Sequence, residues 1–170
     1  MKSLVIYFSH TGENYTDEGI KNLKKGNTEV IAEYISSKTG AYLFKVERAN
    51  RYPFSYKTCC DEAKAELDNN CKAEIIDPIK DIKDYKIIYI GGPIWWGHYP
   101  LPLLAQLEKL DFKGKIIKPF ATHEGSGLGE SSKDLISLCQ GAYIKNGLAI
   151  RGSDVYKEET KAKVNEWVEK

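Results

Sequence analysis

The sequence predicts an α/β fold in which a parallel β-sheet is covered by helices on both faces. Short runs of β-branched and aromatic residues alternate with segments of helical period along the 170 residues. Two of these runs, "LVIYF" and "KIIYIGG", are almost continuously apolar, as central parallel strands usually are. No internal repeat or Pro/Gly/Ser-rich linker divides the chain. Because β-α-β crossovers are right-handed, the pattern favours a three-layer, doubly wound, five-stranded parallel sheet in one domain, residues 1–170.

The first strand is predicted at 4–8, where the apolar run begins almost at once. The first helix follows a polar interlude and takes Asn27 or Thr28 as its N-cap, because short polar side chains can accept hydrogen bonds from the first helical N–H groups. It ends at Gly40, which suits a left-handed C-terminal cap. Its apolar residues fall on one stripe: Val30, Ile31, Tyr34 and Ile35.

The middle of the chain repeats this alternation. A strand is predicted at 42–46, and a helix with a weaker pattern spans about 58–67. The strand at 86–92 is the second continuous apolar run and ends in two glycines. Pro100 and Pro102 then open a third helix, since proline is tolerated in the first turn.

The last elements complete five β-α units. A strand is predicted at 115–122, a helix begins at Ser131 or Ser132 and ends before Gly141, and a strand occupies 147–151. The final helix spans 157–170, and its apolar residues are Val164, Trp167 and Val168.

Composition excludes several classes of protein. No window approaches the roughly 18 apolar residues of a membrane span, and the apolar run near Met1 is too short for a signal peptide. The four cysteines lack metal-site spacing, so we expect reduced thiols and a cytoplasmic protein. The formal net charge of +1 gives no support for nucleic-acid binding.

Three of the five predicted strands are followed by loops rich in polar, glycine or aromatic residues. These loops are 9–12, 91–100 and 122–127. Ligands of doubly wound sheets bind beyond the carboxyl ends of the strands, at the point where strand order reverses. The three loops are therefore expected to converge on one site.

The first loop has the chemistry of a phosphate site. Ser9, Thr11 and Thr28 offer hydroxyls, Asn27 offers an amide, and backbone N–H groups lie beside a helix N-terminus. The alternative is that these residues only cap the helix. A Walker A loop is excluded, because the lysines of "KKGNT" precede the glycine.

The second loop, "GGPIWWGHYP", places Trp95 and Trp96 at the ligand end of the sheet. Aromatic side chains there suit a planar ligand, because stacked aromatic pairs contribute about 0.5–1.5 kcal/mol beyond area burial. The alternative is that the tryptophans pack beneath a neighbouring loop or across a dimer interface.

The third loop, "THEGSGLG", offers bare amides. Its G-x-G-x-G spacing after the fourth strand is a weak match to a dinucleotide fingerprint. Glu124 either approaches a ligand ring or is solvated. No G-x-S-x-G elbow is present and the three histidines lack metal spacing, so neither catalytic residues nor metal ligands are predicted.

Together the three loops resemble the flavodoxin family, over essentially the whole chain. The family's phosphate-loop pattern, Ser/Thr-x-Thr-Gly-Asn-Thr, is present in two halves, 9–12 and 27–28, separated by an insertion at 13–26. The second and third loops are similar to those of the branch that carries such an insertion. The resemblance implies a flavodoxin-like sheet with strand order 2-1-3-4-5.

The resemblance also implies a non-covalently bound FMN and a set of residues to hold it. The implied set on the phosphate side is Ser9, His10, Thr11, Gly12, Asn27 and Thr28. Around the ring it is Pro93, Ile94, Trp95, Trp96 and Gly97, and along the polar ring edge it is Thr122, Glu124, Gly125, Ser126 and Gly127.

The function implied is electron transfer between cytoplasmic redox partners, a reductase and an acceptor, by a monomer or weak dimer. One alternative is an FMN-dependent NAD(P)H:quinone-type oxidoreductase, and another is a non-redox α/β domain that binds a different phosphate ligand. Flavodoxins are typically acidic, whereas 25 basic residues here balance 24 acidic ones. The insertion would cover the flavin, contact a partner or become ordered when FMN binds, with Tyr15 as a natural lid residue.

Overall fold

The computed structural model describes residues 1–170 and contains ten β-strands and five α-helices. Residues Gly152–Asp154 form one additional turn of 3₁₀-helix. In chain order the elements are β1 (Ser3–Tyr7), β2 (Gly12–Thr16), β3 (Gly19–Leu23), α1 (Asn27–Thr39), β4 (Tyr42–Lys45), β5 (Glu47–Arg48), α2 (Tyr56–Asp68), β6 (Ile75–Ile76), β7 (Ile87–Pro93), α3 (Leu101–Leu107), β8 (Ile116–His123), α4 (Ser131–Leu138), β9 (Tyr143–Ile144), β10 (Leu148–Arg151) and α5 (Glu158–Glu169).

The main sheet has five long parallel strands in the order β4-β1-β7-β8-β10. Counted along the chain this is 2-1-3-4-5, so the predicted fold and strand order are confirmed. The short strand β9 also pairs with β8, at Ile116 and Ile117, whereas β10 pairs with Phe120 to His123. The fifth strand is therefore interrupted at 145–147, a detail that the sequence does not predict.

Helices cover both faces of the sheet, which explains the unbroken apolar run in β1. Val5 and Tyr7 pack with α1 and α5 in one core, while Leu4 and Ile6 pack with α2, α3 and α4 in the other. Successive side chains of a strand point to opposite faces, so a strand buried on both sides needs apolar residues at every position. The three-layer prediction is confirmed.

The five predicted helices are present, but the predicted start of the first helix is wrong. Gly26, with φ −69° and ψ 150°, is the N-cap residue of α1, and Asn27 and Thr28 lie inside the first turn. The cap is supplied from elsewhere, because Ser9 Oγ accepts a hydrogen bond of 3.1 Å from Glu29 N–H. At the other end Gly40 adopts φ 69°, the left-handed conformation predicted for it.

The insertion at 13–26 is mainly a β-hairpin, in which β2 and β3 pair antiparallel from Gly12 with Leu23 to Thr16 with Gly19. A second two-stranded ladder joins β5 and β6.

All four cysteines are free thiols. None of the helices has the length and apolar character that crossing a membrane requires.

Candidate functional site

The carboxyl ends of β1, β7 and β8 meet in a cleft of about 330 Å³. This is where strand order reverses, because β4 lies on one side of β1 and β7 on the other. The fifteen residues that line the cleft come from the three predicted loops, the first turn of α1, the hairpin and α2: Ser9, His10, Asn14, Tyr15, Asn27, Thr28, Tyr56, Pro93, Ile94, Trp95, Thr122, His123, Glu124, Gly125 and Ser126.

The two halves of the split polar motif lie against each other. A Cβ atom at Gly26 would lie 2.2 Å from Ser9 Oγ and 2.6 Å from the His10 carbonyl oxygen, so only glycine permits this approach. The Ser9 hydroxyl then reaches the first turn of α1 and accepts from Glu29 N–H. The hairpin leaves and rejoins the loop without separating its two polar halves.

This loop presents unpaired backbone donors beside the N-terminus of a 13-residue helix. The N–H groups of His10, Asn27 and Thr28 donate to no atom of the chain. Free N–H groups and the partial positive charge of a helix N-terminus together favour an anion. Ser9 does cap α1, as the capping alternative expects, but that cap leaves the N–H groups of His10, Asn27 and Thr28 without a partner.

A buried hydrogen bond joins the first loop to the third. Thr28 Oγ1 and Thr122 Oγ1 are 2.7 Å apart, and both residues are at least 97% buried. One hydroxyl donates to the other, which leaves the second proton available for another acceptor. The pair holds the end of β8 against the first turn of α1.

Glu124 is a carboxylate whose environment is poor in hydrogen-bond donors. Its Oε2 atom is buried and has no partner, and its Oε1 atom would lie 1.9 Å from a Cβ at Gly152. The Asn27 amide nitrogen would lie 2.8 Å from the same Cβ, so both side chains depend on glycine at 152. Burial, and secondarily Asp17, raises the pKa of Glu124 above its ordinary value.

Two histidines in the cleft favour the neutral form. Burial lowers the pKa of His10, and its Nε2 atom is buried without a partner. Burial, with Arg151 nearby, lowers the pKa of His123, whose Nδ1 atom accepts a 3.0 Å hydrogen bond from Gly125 N–H. Near pH 7 neither ring is expected to carry charge into the cleft.

The tryptophan loop is a tight turn. Trp95 and His98 exchange backbone hydrogen bonds of 2.8 and 3.0 Å, and the two residues between them, Trp96 and Gly97, have φ values of 51° and 86°. Positive φ at both central positions is characteristic of a type I′ turn and is unusual for a bulky residue such as tryptophan. The Gly97 carbonyl accepts a 2.7 Å hydrogen bond from Glu130 N–H, which ties the turn to the start of α4.

The two tryptophans have different environments. The Trp95 ring makes edge-on contacts with Phe8, Tyr52 and His10 at centroid distances of 5.0–5.5 Å, and Trp95 also lines the cleft. Trp96 is 52% exposed and donates its indole N–H to the Cys60 carbonyl on α2, 3.1 Å away. Trp95 therefore combines a packing role with a place in the cleft wall, whereas Trp96 packs outside it.

The hairpin forms one side of the cleft and is anchored at both ends. Near its base, Glu13 accepts a 2.8 Å hydrogen bond from Tyr56 N–H in the first turn of α2. At its tip, Asp17 pairs with Arg151 at 2.9 Å, at the end of β10. The hairpin thus spans the mouth of the cleft from α2 to β10, with Tyr15 in the cleft wall.

Eleven of the sixteen residues predicted as cofactor ligands line this cleft, and five do not. Thr11 lines a neighbouring pocket of about 200 Å³, and Trp96 lines an adjoining, mostly apolar pocket of about 230 Å³. Gly12, Gly97 and Gly127 line none of the three pockets. The roles of all sixteen in binding stay predictions.

Four residues of the cleft wall were not among the predicted cofactor ligands: Asn14, Tyr15, Tyr56 and His123. The sequence gives a reason to expect two of them near the cleft: His123 lies in the third predicted loop, and Tyr15 is the natural lid residue of the insertion. Asn14 Nδ2 donates to the Gly12 and His10 carbonyls at 3.1 and 3.3 Å, which stabilises the start of the hairpin. Tyr56 lies at the start of α2, outside the three predicted loops and the insertion, so no motif in the sequence indicates its place in the cleft wall.

The residues present fit a ligand with an anionic end and a planar end. Unpaired N–H groups at Asn27 and Thr28 suit a phosphate, and the Gly26 contact holds the loop that presents them. On the other side, Ile94, Trp95 and the N–H group of Ser126, which has no partner in the chain, suit a flat ring with a polar edge. The protein offers no group of three or more residues suited to a metal ion.

Comparison with known proteins agrees with this architecture. A family model described as flavodoxin matches residues 2–170. A candidate flavoprotein from Bacteroides uniformis superposes with a TM-score of 0.77 at 24% identity, covering 99% of this chain and 98% of the other. A flavoprotein from Lactobacillus acidophilus in complex with FMN gives 0.60 at 21% identity, with 93% and 98% covered.

Oxidised flavodoxin 2 from Bacillus cereus gives a TM-score of 0.59 at 20% identity, with 99% of each chain covered. At these identities the structural matches show the fold alone. A search among curated proteins finds no match.

Proposed function

Because the chain belongs to the flavodoxin family, we propose that it binds FMN in the 330 Å³ cleft and carries electrons between redox partner proteins. The observation that carries the proposal is the convergence, in one cleft, of unpaired donors beside α1 with an aromatic wall at Trp95. A site for phosphate alone would need only the unpaired donors, without the aromatic wall. A planar phosphate ester uses both.

The binding roles follow from the position of each group. Backbone N–H groups of His10, Asn27 and Thr28, with one proton of the Thr28–Thr122 pair, would hold the phosphate. Ile94 and Trp95 would contact the ring, and the backbone N–H group of Ser126 would meet its polar edge. The flavin supplies the redox chemistry when bound, while the protein orients it and limits its contact with water.

The partners are proposed to be a reductase and an acceptor protein in the cytoplasm. A net charge of +1 means that docking would depend on a local patch and on shape more than on long-range attraction. The exposed Trp96, with Lys64 Nζ 5.7 Å from its ring, is a candidate contact beside the cleft. Trp96→Ala would then slow electron transfer to a protein acceptor more than it weakens FMN binding, because Trp96 lies outside the cleft.

The proposal is tested by reconstitution. Flavin-free protein titrated with FMN should turn yellow and bind one equivalent, with riboflavin binding more weakly because it lacks the phosphate. Reductive titration followed by visible spectroscopy should then resolve two one-electron steps, as a single-electron carrier requires. Failure to bind FMN would exclude the cofactor assignment, and a single two-electron step would exclude the carrier role.

The apolar pocket beside the cleft favours a second candidate, an FMN-dependent NAD(P)H:quinone-type reductase. This pocket of about 230 Å³ shares Tyr56, Ile94 and Trp95 with the cleft and has Cys59 and Cys60 in its wall. It offers a place for a small aromatic acceptor next to the proposed ring site. Sustained NADPH oxidation by the FMN-loaded protein with a soluble quinone, and no other protein, would favour this candidate over the carrier.

A further inference from the structure

We propose that Glu124 couples FMN binding to proton uptake, so that the cleft accepts the phosphate ester readily when this carboxyl is protonated and poorly when it is ionised. This inference rests on the proposed FMN function. It assigns to Glu124 a positioning role on the ligand's charge, and no bond other than the O–H bond of this carboxyl is made or broken.

The first support is geometric. Glu124 lines the same cleft as the unpaired donors of α1, and its Oε2 atom is buried without any hydrogen-bond partner. Its Oε1 atom lies against Gly152, where any side chain would collide with it. The carboxyl is therefore held in the wall of an anion-binding cleft, with no donor to stabilise its charge.

The second support comes from the charges around Glu124. Asp17 faces it from the hairpin and Arg151 from the end of β10, but these two groups pair with each other at 2.9 Å. His123, its neighbour on β8, favours the neutral form. Asp154, in the turn after β10, is paired with Lys157, and α1 contributes only the uncharged Asn27. Arg151 alone among these groups favours the Glu124 carboxylate, and it is already paired with Asp17, so burial and Asp17 outweigh it and the pKa of Glu124 is raised.

A phosphate in the same cleft would add negative charge and disfavour the Glu124 carboxylate further. The pKa of Glu124 would then be higher in the complex than in the free protein, and FMN would bind with uptake of up to one proton. Between these two pKa values the dissociation constant should rise up to about tenfold for each unit of pH. Above the higher value the dependence should level off.

The experiment measures the FMN dissociation constant from pH 5 to pH 9 for flavin-free wild type, Glu124→Gln and Glu130→Gln. Glu130→Gln removes the same charge from a surface residue that pairs with Lys133 outside the cleft. The FMN phosphate ionises in the same way whichever protein is present. The ratio of the wild-type dissociation constant to that of the variant therefore reports only the effect of the Glu124 carboxyl. Calorimetry in two buffers of different ionisation enthalpy counts the protons taken up.

For Glu124→Gln we expect a ratio near one at pH 5 that rises to about tenfold or more at pH 8, with FMN bound more tightly by the variant. Proton uptake attributable to the carboxyl should vanish in Glu124→Gln and persist in Glu130→Gln. Riboflavin should show little of this pH dependence, because it brings no phosphate.

A ratio that stays constant across the pH range, or equal proton uptake by wild type and Glu124→Gln, would overturn the inference while leaving FMN binding intact. Absence of FMN binding by all three proteins at every pH would instead overturn the proposed function. The two failures are therefore distinguishable in one data set.

Discussion

At the scale of single residues, the Thr28–Thr122 bond gives the most direct test of how the loops are joined. Thr28→Val should lower the free energy of unfolding by about 1–3 kcal/mol, because it leaves the buried Thr122 hydroxyl without its 2.7 Å partner. Removing both hydroxyls in Thr28→Val/Thr122→Val should recover much of that loss, since no unpaired group remains. Urea denaturation of the two single variants and the double variant measures the coupling.

If the losses in free energy of unfolding of the two single variants simply add in the double variant, the two hydroxyls do not interact in solution. The matching substitution Thr39→Val affects a hydroxyl that donates locally to the Ile35 carbonyl in α1. It should change stability without any coupling to Thr122.

The raised pKa of Glu124 predicts that the stability of the ligand-free protein depends on pH. Its pKa is raised in the folded protein, so the folded state binds more protons than the unfolded chain above about pH 4.5. Its contribution to stability is therefore fully present below the unfolded pKa and is lost as pH rises through the folded pKa. Glu124→Gln should raise the melting temperature at pH 8 relative to wild type, and less so at pH 4.

Thermal melts at the two pH values check this sign. Glu130→Gln serves as the opposite case, because its hydrogen bond with Lys133 lowers the pKa of Glu130. A Glu130→Gln protein should gain no stability at pH 8. A decrease in the melting temperature of Glu124→Gln at pH 8 would contradict the assignment of a carboxylate poor in donors.

The residues that the sequence could predict are those whose role is local. Gly40 as a C-terminal cap follows from conformational preference alone, and the structure gives it φ 69°. The predicted N-cap of α1 is wrong because the cap depends on a hydrogen bond between Ser9 and Glu29, which are 20 positions apart in the chain. The surroundings of Glu124 likewise depend on Gly152 and Asp17, which no pattern near residue 124 indicates.

At the scale of secondary-structure elements, the hairpin makes a testable contribution to ligand release. Its tip is joined to β10 by the exposed Asp17–Arg151 pair, and such pairs contribute about 0.2–1 kcal/mol. Asp17→Asn and Arg151→Met should therefore each speed flavin dissociation by up to about fivefold. Stopped-flow dissociation of riboflavin as well as FMN separates loss of the pair from loss of a positive charge near a phosphate.

Salt and a control variant sharpen the result. At 1 M salt, where the screening length is about 3 Å, the wild-type rate should approach that of the variants. Lys21→Met breaks the ion pair with Glu18 within the hairpin and should leave the rate unchanged. Rates that respond equally to all three substitutions would exclude a specific attachment of the hairpin tip to β10.

The strands of the main sheet could be predicted because each is a short apolar run between glycines or polar residues, whereas the hairpin could not. β2 and β3 lack apolar alternation, and β3 is mostly exposed, so no buried face identifies them. Their order comes from cross-strand pairing and from contacts with the segment before α2, where Glu13 N–H donates to the Phe54 carbonyl at 3.0 Å. These are tertiary interactions that a single segment does not encode.

At the scale of the whole molecule, FMN should stabilise the fold by mass action. A free concentration one hundred times the dissociation constant adds about 2.7 kcal/mol to the free energy of unfolding. For a chain of 170 residues this corresponds to a rise in melting temperature of about 5–11 °C. Differential scanning calorimetry measures it, with riboflavin at the same concentration expected to give a smaller rise; an unchanged melting temperature would contradict binding to the folded state.

The global architecture was predictable because few topologies satisfy right-handed crossovers with five β-α units. Strands buried on both faces, such as β1 and β7, can only lie centrally, and the observed order β4-β1-β7-β8-β10 meets that requirement. The position of the cleft follows from the same order. Its outer wall does not, because α2 and the hairpin reach it through contacts between segments far apart in the chain.

The pairing of Gly12 with Leu23 has an evolutionary consequence. The two ends of the hairpin lie side by side, so the chain returns to the point from which it departed. Residue pairs can be added to or removed from the hairpin without moving Ser9 or Asn27, which the Gly26 contact holds together. Selection can therefore alter the outer wall of the cleft, and with it access to the cleft, while the sheet and the loop that presents the unpaired N–H groups are inherited unchanged.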